Sequence, residues 1–370
     1  MMTQKRSAIW HWFLDGKIDR ANFKAAMLEA YPHPNTNKWQ QLIANLLLYL
    51  GVLLVSAGVI FFMAFNWDAL SHLSKFAIVE TLFSLFIGGF YLVSRAQKKP
   101  HSRLNVPHNQ QSQPHPNAYG WNLPNAMLLG ACIMLGALLA LVGQTYQTGA
   151  DPWQLFAIWA VLILPFAYMA GFDLLWLLLV VLVNVSLGLY LQSFASVFSF
   201  LLEDTQQIAL FGLVNLVIHL LFTFAKRLQW SGRFRFNCSM VEATSLLASL
   251  SAFTWLIVWV IFDFSYHFDT SEHIAYYALF YLVTLSSLFV WYRYRSPALY
   301  PLTLVLTSIS IAIVSLLSRE LLDSHDTIGG FFLIAMVVIG LTSGSLYWLK
   351  QLQKEFAQTA MLNSEGAAHE

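Results

Sequence analysis

Apolar residues fall along this chain in long unbroken runs, and the runs predict its architecture. Ten stretches recur, at about 42–65, 74–93, 125–146, 153–171, 174–192, 206–225, 240–262, 274–292, 298–317 and 328–349. At 1.5 Å rise per residue, roughly twenty apolar residues are what a helix needs to cross ~30 Å of hydrocarbon. A membrane barrel would show shorter segments of alternating character, and none are visible. The pattern predicts an all-α, polytopic membrane protein of about ten transmembrane helices. Helices 1–2 fall in 41–94, helices 3–10 in 125–349, and 350–370 reads as a cytoplasmic tail. Two places are weakly patterned. One is the tight junction Gly171-Phe172-Asp173; the other is Ser193–Leu202, which reads as a short interfacial helix or a loop.

Residues 1–40 have a different rhythm. Ile9 with Phe13 and Trp10 with Leu14 are i,i+4 pairs, and Asp15-Gly16-Lys17 breaks the pattern. Asp19 is placed to cap a second helix, with Ile18 and Phe23 as its staple, and Tyr31-Pro32-His33-Pro34 stops it. A small cytoplasmic helical hairpin is expected, packing on itself or on the membrane surface. The linker 95–124 is rich in Pro, His, Asn and Gln, with Pro-His at 100–101, 107–108 and 114–115. Neither Cys nor carboxylate accompanies those histidines, so disordered linker is favoured over metal tract.

Composition removes the soluble classes. Hydrophobic residues make up 58% and charged residues 11%, where a soluble chain carries roughly a quarter charged. The net charge of +1 comes from bases spread over several loops, so no nucleic-acid partner is implied; the bilayer is the expected surrounding. Their distribution orients the chain. Eighteen of the twenty Lys and Arg fall on one side of a ten-span scheme, leaving only Lys75 and Arg319 on the other. By the positive-inside rule both termini are cytoplasmic. No signal peptide is expected, and the two cysteines, Cys132 in a span and Cys238 beside a basic loop, do not predict a disulfide.

Polar groups inside the spans are expensive and therefore informative. Glu80 lies about six residues into the second span, and Thr81, Ser84 and Gly88 share or border its face. That face is expected to point into the bundle; the alternative is a carboxyl that reaches the outer interface, or stays protonated and bonded to a neighbour. Asn184 and Asn215 fall near mid-membrane on consecutive antiparallel helices, with His219 one turn beyond Asn215. An interhelical amide bond worth about 1 kcal/mol is natural there, while one histidine and two amides are too few for a metal site. No phosphate-cradling Gly-rich loop, His-Glu-x-x-His pair or Gly-x-Ser-x-Gly elbow occurs, so neither enzyme nor cofactor is implied.

Two loops carry more polarity than capping requires. In "LVGQTYQTGADPWQLF", Gly149 suits a helix C-terminus, Asp151 an N-cap, Pro152 a first helical position, and Tyr146 and Trp153 an aromatic belt. Gln144, Thr145, Gln147 and Thr148 are then unexplained. In "AFNWDALSHLSK", Asn66 can end a helix and Trp67 can anchor it, while Lys75 lacks an obvious carboxylate. An outward polar cluster of Asn66, Asp68, Lys75, Gln144, Gln147 and Asp151 is expected, with Lys75 between the two aspartates and Tyr146 and Trp153 closing it.

"FNWDALSHLSKFAIVE" and "GQTYQTGADPWQLFAIWAVLILP", with the "DGKID" turn, resemble the predicted integral membrane proteins grouped as domain of unknown function 2157, over roughly residues 5–195. The second half more loosely resembles an uncharacterised membrane domain numbered 4401. The resemblance implies a bacterial inner-membrane protein and carries no catalytic residue with it. Two functions stay open. One is a transport or channel-like protein with an outward polar site; the other is a non-enzymatic scaffold or sensor holding a membrane or periplasmic partner.

Overall fold

A computed structural model describes residues 36–97, 122–147, 149–193, 204–228, 238–263, 271–322 and 327–366. Among them are ten long helices: α1 Thr36–Phe65, α2 His72–Gln97, α3 Leu123–Tyr146, α4 Pro152–Ala170, α5 Asp173–Ser193, α6 Asp204–Leu228, α7 Ser239–Asp263, α8 Ser271–Val290, α9 Leu299–Leu322 and α10 Thr327–Gly366. All ten are long and apolar enough to cross a membrane. The first hairpin, the Pro-His linker and most of Ser193–Leu202 lie outside the described residues.

The helix ends show the local chemistry. Asn122 caps α3, its side chain accepting the Asn125 N–H at 3.0 Å, and Pro124 fills the first turn where no donor is needed. Gly171 ends α4 in the left-handed conformation (φ 61°), donating its N–H to Ala167. Only Phe172 separates it from α5, which starts at Asp173, so the tight junction is a two-helix turn. At the far end the last helix runs on past the apolar stretch. Residues after 349 continue α10 to Gly366, because the segment from Gln351 holds good helix formers and no breaker. Arg293 pairs with Glu355 at 2.7 Å and Leu352 is buried, which ties the start of this extension down, next to the stack of Phe289 on Trp348 at 5.7 Å.

The described residues form two compact units, one within Gln41–Ser249 and one within Leu250–Glu370. In the first, α2 packs along α3. The tip of the Phe86 ring lies against Gly130, where a Cβ would stand 2.8 Å from it, so glycine is what lets the helices approach. The Tyr49 hydroxyl of α1 donates to the Asn122 carbonyl at the start of α3. In the second unit a buried hydroxyl hub joins three helices: Ser308 of α9 bonds Thr254 of α7 at 2.6 Å and Tyr281 of α8 at 2.7 Å. Each hydroxyl group thereby finds a partner where water is absent.

Candidate functional site

The first unit contains an apolar cavity of about 290 Å³ bounded by α1, α2, α3, α4 and the turn at Trp67. A glycine–tryptophan contact builds its floor. A Cβ at Gly136 would lie 2.3 Å from the Trp159 indole, so the ring rests directly on the α3 backbone. Its Nε1 donates to the Cys132 carbonyl at 2.8 Å, which fixes the ring's orientation. Gln144 supplies the one amide among the lining residues, and Trp67 contributes its indole. A second hollow of about 530 Å³ between α3 and α4 shares Gln144 and adds Asp151 and Gln154. We take the smaller cavity as the candidate site, because more helices enclose it and its walls need a specific glycine.

The six residues expected as one polar cluster are dispersed around this cavity. Lys75 is 3% exposed, and its ammonium lies 3.6 Å from the centre of the Trp67 ring. No ion pair links it to a carboxylate among the described residues. Asp68 is exposed to solvent and Asp151 half-buried, so the expected carboxylate–lysine–carboxylate arrangement does not form; an aromatic face takes the carboxylates' place. Asn66 is absorbed by its own helix end, its Nδ2 donating to the Phe62 carbonyl at 2.9 Å. Gln147, not Gly149, is the C-cap of α3, in the left-handed conformation at φ 44°. That costs an L-residue about 1–2 kcal/mol relative to glycine. Asp151 occupies the N-cap position of α4 without a side-chain cap bond.

The aromatic roles also shift. Tyr146 packs against Phe76 at 6.2 Å, whereas Trp153 turns to Tyr190 of α5 in an edge contact at 4.9 Å. The ring over Lys75 is Trp67.

Glu80 is a clear correction. It is exposed, as are Thr81 and Ser84, and nothing lies within 4 Å of where a Gly88 Cβ would stand. The packed stripe of α2 runs through Lys75, Val79 and Phe86. Glu80 is one residue, or about 100° of helix, beyond Val79 and so turns away from that stripe.

Asn184 and Asn215 exchange reciprocal amide bonds at 3.2 and 2.6 Å, and each also donates to its own helix, at Val180 and Phe211. The pair is satisfied by itself. His219 is 3% exposed and its Nδ1 donates to the Glu242 carbonyl at 2.8 Å, a contact to α7.

A further polar group gathers at the α5–α6–α7 helix ends, and composition did not flag it. The Glu242 carboxylate pairs with Lys226 at 2.9 Å. Asp173, fully buried, accepts the Met240 N–H at 3.3 Å and so caps α7. Beside it, burial pushes the Cys238 thiol up to about 12, and the Asp173 charge adds to the effect. The signal that could have found Asp173 is its place two residues after the helix-ending Gly171. No three His, Cys, Asp or Glu side chains among the described residues come together as a metal set.

No curated protein and no solved structure matches the chain. A likeness of the second half to domain 4401 is not shown. Residues 11–176, which include every residue lining the candidate cavity, match the family model described as Predicted membrane protein (DUF2157).

Proposed function

We propose that this chain is a non-enzymatic binding protein of the bacterial inner membrane, with both termini in the cytoplasm. Its Gln41–Ser249 unit takes an apolar or amphiphilic membrane component into the outward-opening cavity. The observation that supports this reading is the cavity itself, about 290 Å³ between four helices with apolar walls and a single amide. That size is at the lower end of the ~300–1,000 Å³ usual for small-molecule sites and suits one hydrocarbon chain. Passage of a hydrophilic solute has less support: the mid-membrane amides bond each other, and Lys75 is held behind Trp67. Release of the bound component to the other face would make the protein a carrier, and retention would make it a sensor.

Photolabelling tests the binding. A diazirine-bearing fatty acid in membranes should label α3 and α4 around Ala137 and Leu155, and Ala137→Trp, which fills the space, should abolish that labelling. Equal labelling of wild type and variant would sink the reading. Orientation is tested separately by alkaline phosphatase fusions, active after Ser71 and Thr148 and inactive after Gln111 and Ser231. Activity after Gln111 would overturn the topology from the second helix onward.

A second reading, a scaffold for a membrane partner, is supported by the α2 face of Glu80, Thr81 and Ser84. A carboxyl facing hydrocarbon costs several kcal/mol unless something covers it. Capture of one stoichiometric partner from wild-type membranes, lost in Glu80→Leu, would favour it.

A further inference from the structure

The Leu250–Glu370 unit has a groove of its own, of about 430 Å³, between α7, α8 and α9. On α9 its wall is formed by Ile309, Ala312, Ile313, Leu316 and Arg319, spaced three and four residues apart and hence on one face. From Ile309 to Arg319 is ten residues, about 15 Å of helix, or half the ~30 Å hydrocarbon thickness. The groove therefore runs the depth of one leaflet, from Arg319 near the end of α9 down to Ile309. Tyr281, whose hydroxyl is held by Ser308, lies along it. Every other lining side chain is aliphatic, apart from Arg319.

Arg319 is fixed at the mouth. Its Nη1 donates to the Ile261 carbonyl in the last turn of α7 at 3.0 Å. A guanidinium prefers phosphate, which it meets through a planar fork of N–H groups. Sequence position makes the residue conspicuous as well. In the ten-span scheme it is one of only two bases on the side that otherwise collects acids. A cation at headgroup level above an aliphatic slot one leaflet deep complements one kind of molecule.

We infer that this groove holds one phospholipid of the leaflet at the Arg319 end of α9. The phosphate sits on the guanidinium, and one acyl chain runs down the groove to Ile309. A soluble phosphate would gain the cation and little else, since the one hydroxyl along the walls, that of Tyr281, is already held by Ser308. The assignment does not depend on the cavity of the other unit.

The test uses the full chain in nanodiscs of neutral phosphatidylcholine, with a phosphatidylglycerol carrying a diazirine on its acyl chain. Adducts should map to α8 and α9 near Leu282 and Ile313. Unlabelled phosphatidylglycerol in excess should displace them, and inorganic phosphate should not. Arg319→Gln should lower the yield roughly tenfold, as loss of one charged hydrogen-bonded contact predicts, with Arg319→Lys intermediate. Ala278→Trp should block the groove and remove the adducts while leaving Arg319 in place. Three results would overturn the inference: adducts undiminished in Ala278→Trp, displacement by inorganic phosphate, or wild-type yield in Arg319→Gln. Melting of each variant checks folding. Should Arg319→Gln fail to fold, Ala278→Trp and the phosphate competition decide the matter.

Discussion

The two cavities treat their nearby cation in opposite ways. In the Gln41–Ser249 unit Lys75 is buried under the Trp67 ring and does not line the cavity; an amide and an indole do. In the Leu250–Glu370 unit Arg319 lines the groove itself, held by a backbone carbonyl. The difference follows from the side chains. A lysine ammonium is compact and strongly hydrated, and when taken from water it can be sheltered by an aromatic face. A guanidinium carries five donors in a rigid fork, so it can meet more than one group at once. The same rare event, a base on the acidic side, thus gives an aromatic-shielded cation in one unit and a headgroup contact in the other.

The cavity walls differ too, and substitution should expose this most strongly. Gly136→Leu drives a side chain into the Trp159 ring, which cannot retreat without losing its bond to Cys132. A loss of roughly 3 kcal/mol is expected, seen as a much lower melting temperature in detergent. Ala278→Leu enters the open groove instead and should change stability by less than about 1 kcal/mol. Equal effects would erase the distinction between a built floor and an open slot.

A smaller contrast separates the buried polar groups. Asn184→Leu strands the Asn215 amide and should cost about 1–2 kcal/mol, while the double Asn184→Leu, Asn215→Leu variant should cost less than the sum of the singles. Ser308→Ala removes the centre of the hydroxyl hub and should cost about 1 kcal/mol, with Thr254 still bonded to the Leu250 carbonyl. A double-mutant cycle by thermal melting checks the first pair; additivity would mean the amides act separately.

The smallest effect concerns Cys238. Its thiol is raised to about 12 by burial and by the Asp173 charge, so little of it is the reactive thiolate at pH 8. Maleimide should leave it unmodified in the folded protein at pH 8 and modify it readily in detergent-denatured chain. Any labelling of folded protein should rise with pH toward 10, because the thiolate fraction grows as pH approaches the raised value. Rapid labelling at pH 7 would show that the Asp173 end of α7 opens readily.

Much of the architecture was legible in one dimension. Span number and the depth of Asn184 and Asn215 depend on apolar run length, and a helix converts residue count to depth at a constant rise. The amide pair followed, because consecutive antiparallel helices bring equal depths together. Rotation about the helix axis did not follow. Glu80 and Val79 are neighbours in sequence and 100° apart in space, and only the packing of α2 on α3 decided which of them was buried. The same holds for Lys75: its excess over the acidic loop pattern was visible, but its partner was an aromatic ring eight residues back rather than an aspartate.

The sequence by itself determined the class, the spans and the two bases that break the charge pattern, because apolar length and charge position are properties of a string. Tertiary structure alone decided the cavities. The floor at Gly136 and Trp159 joins residues twenty-three positions apart, and the groove at Arg319 needs three helices at once. Such spaces arise from where side chains are missing as much as from where they stand, and the absence of a Cβ acquires meaning only when a neighbouring helix brings a ring to fill it.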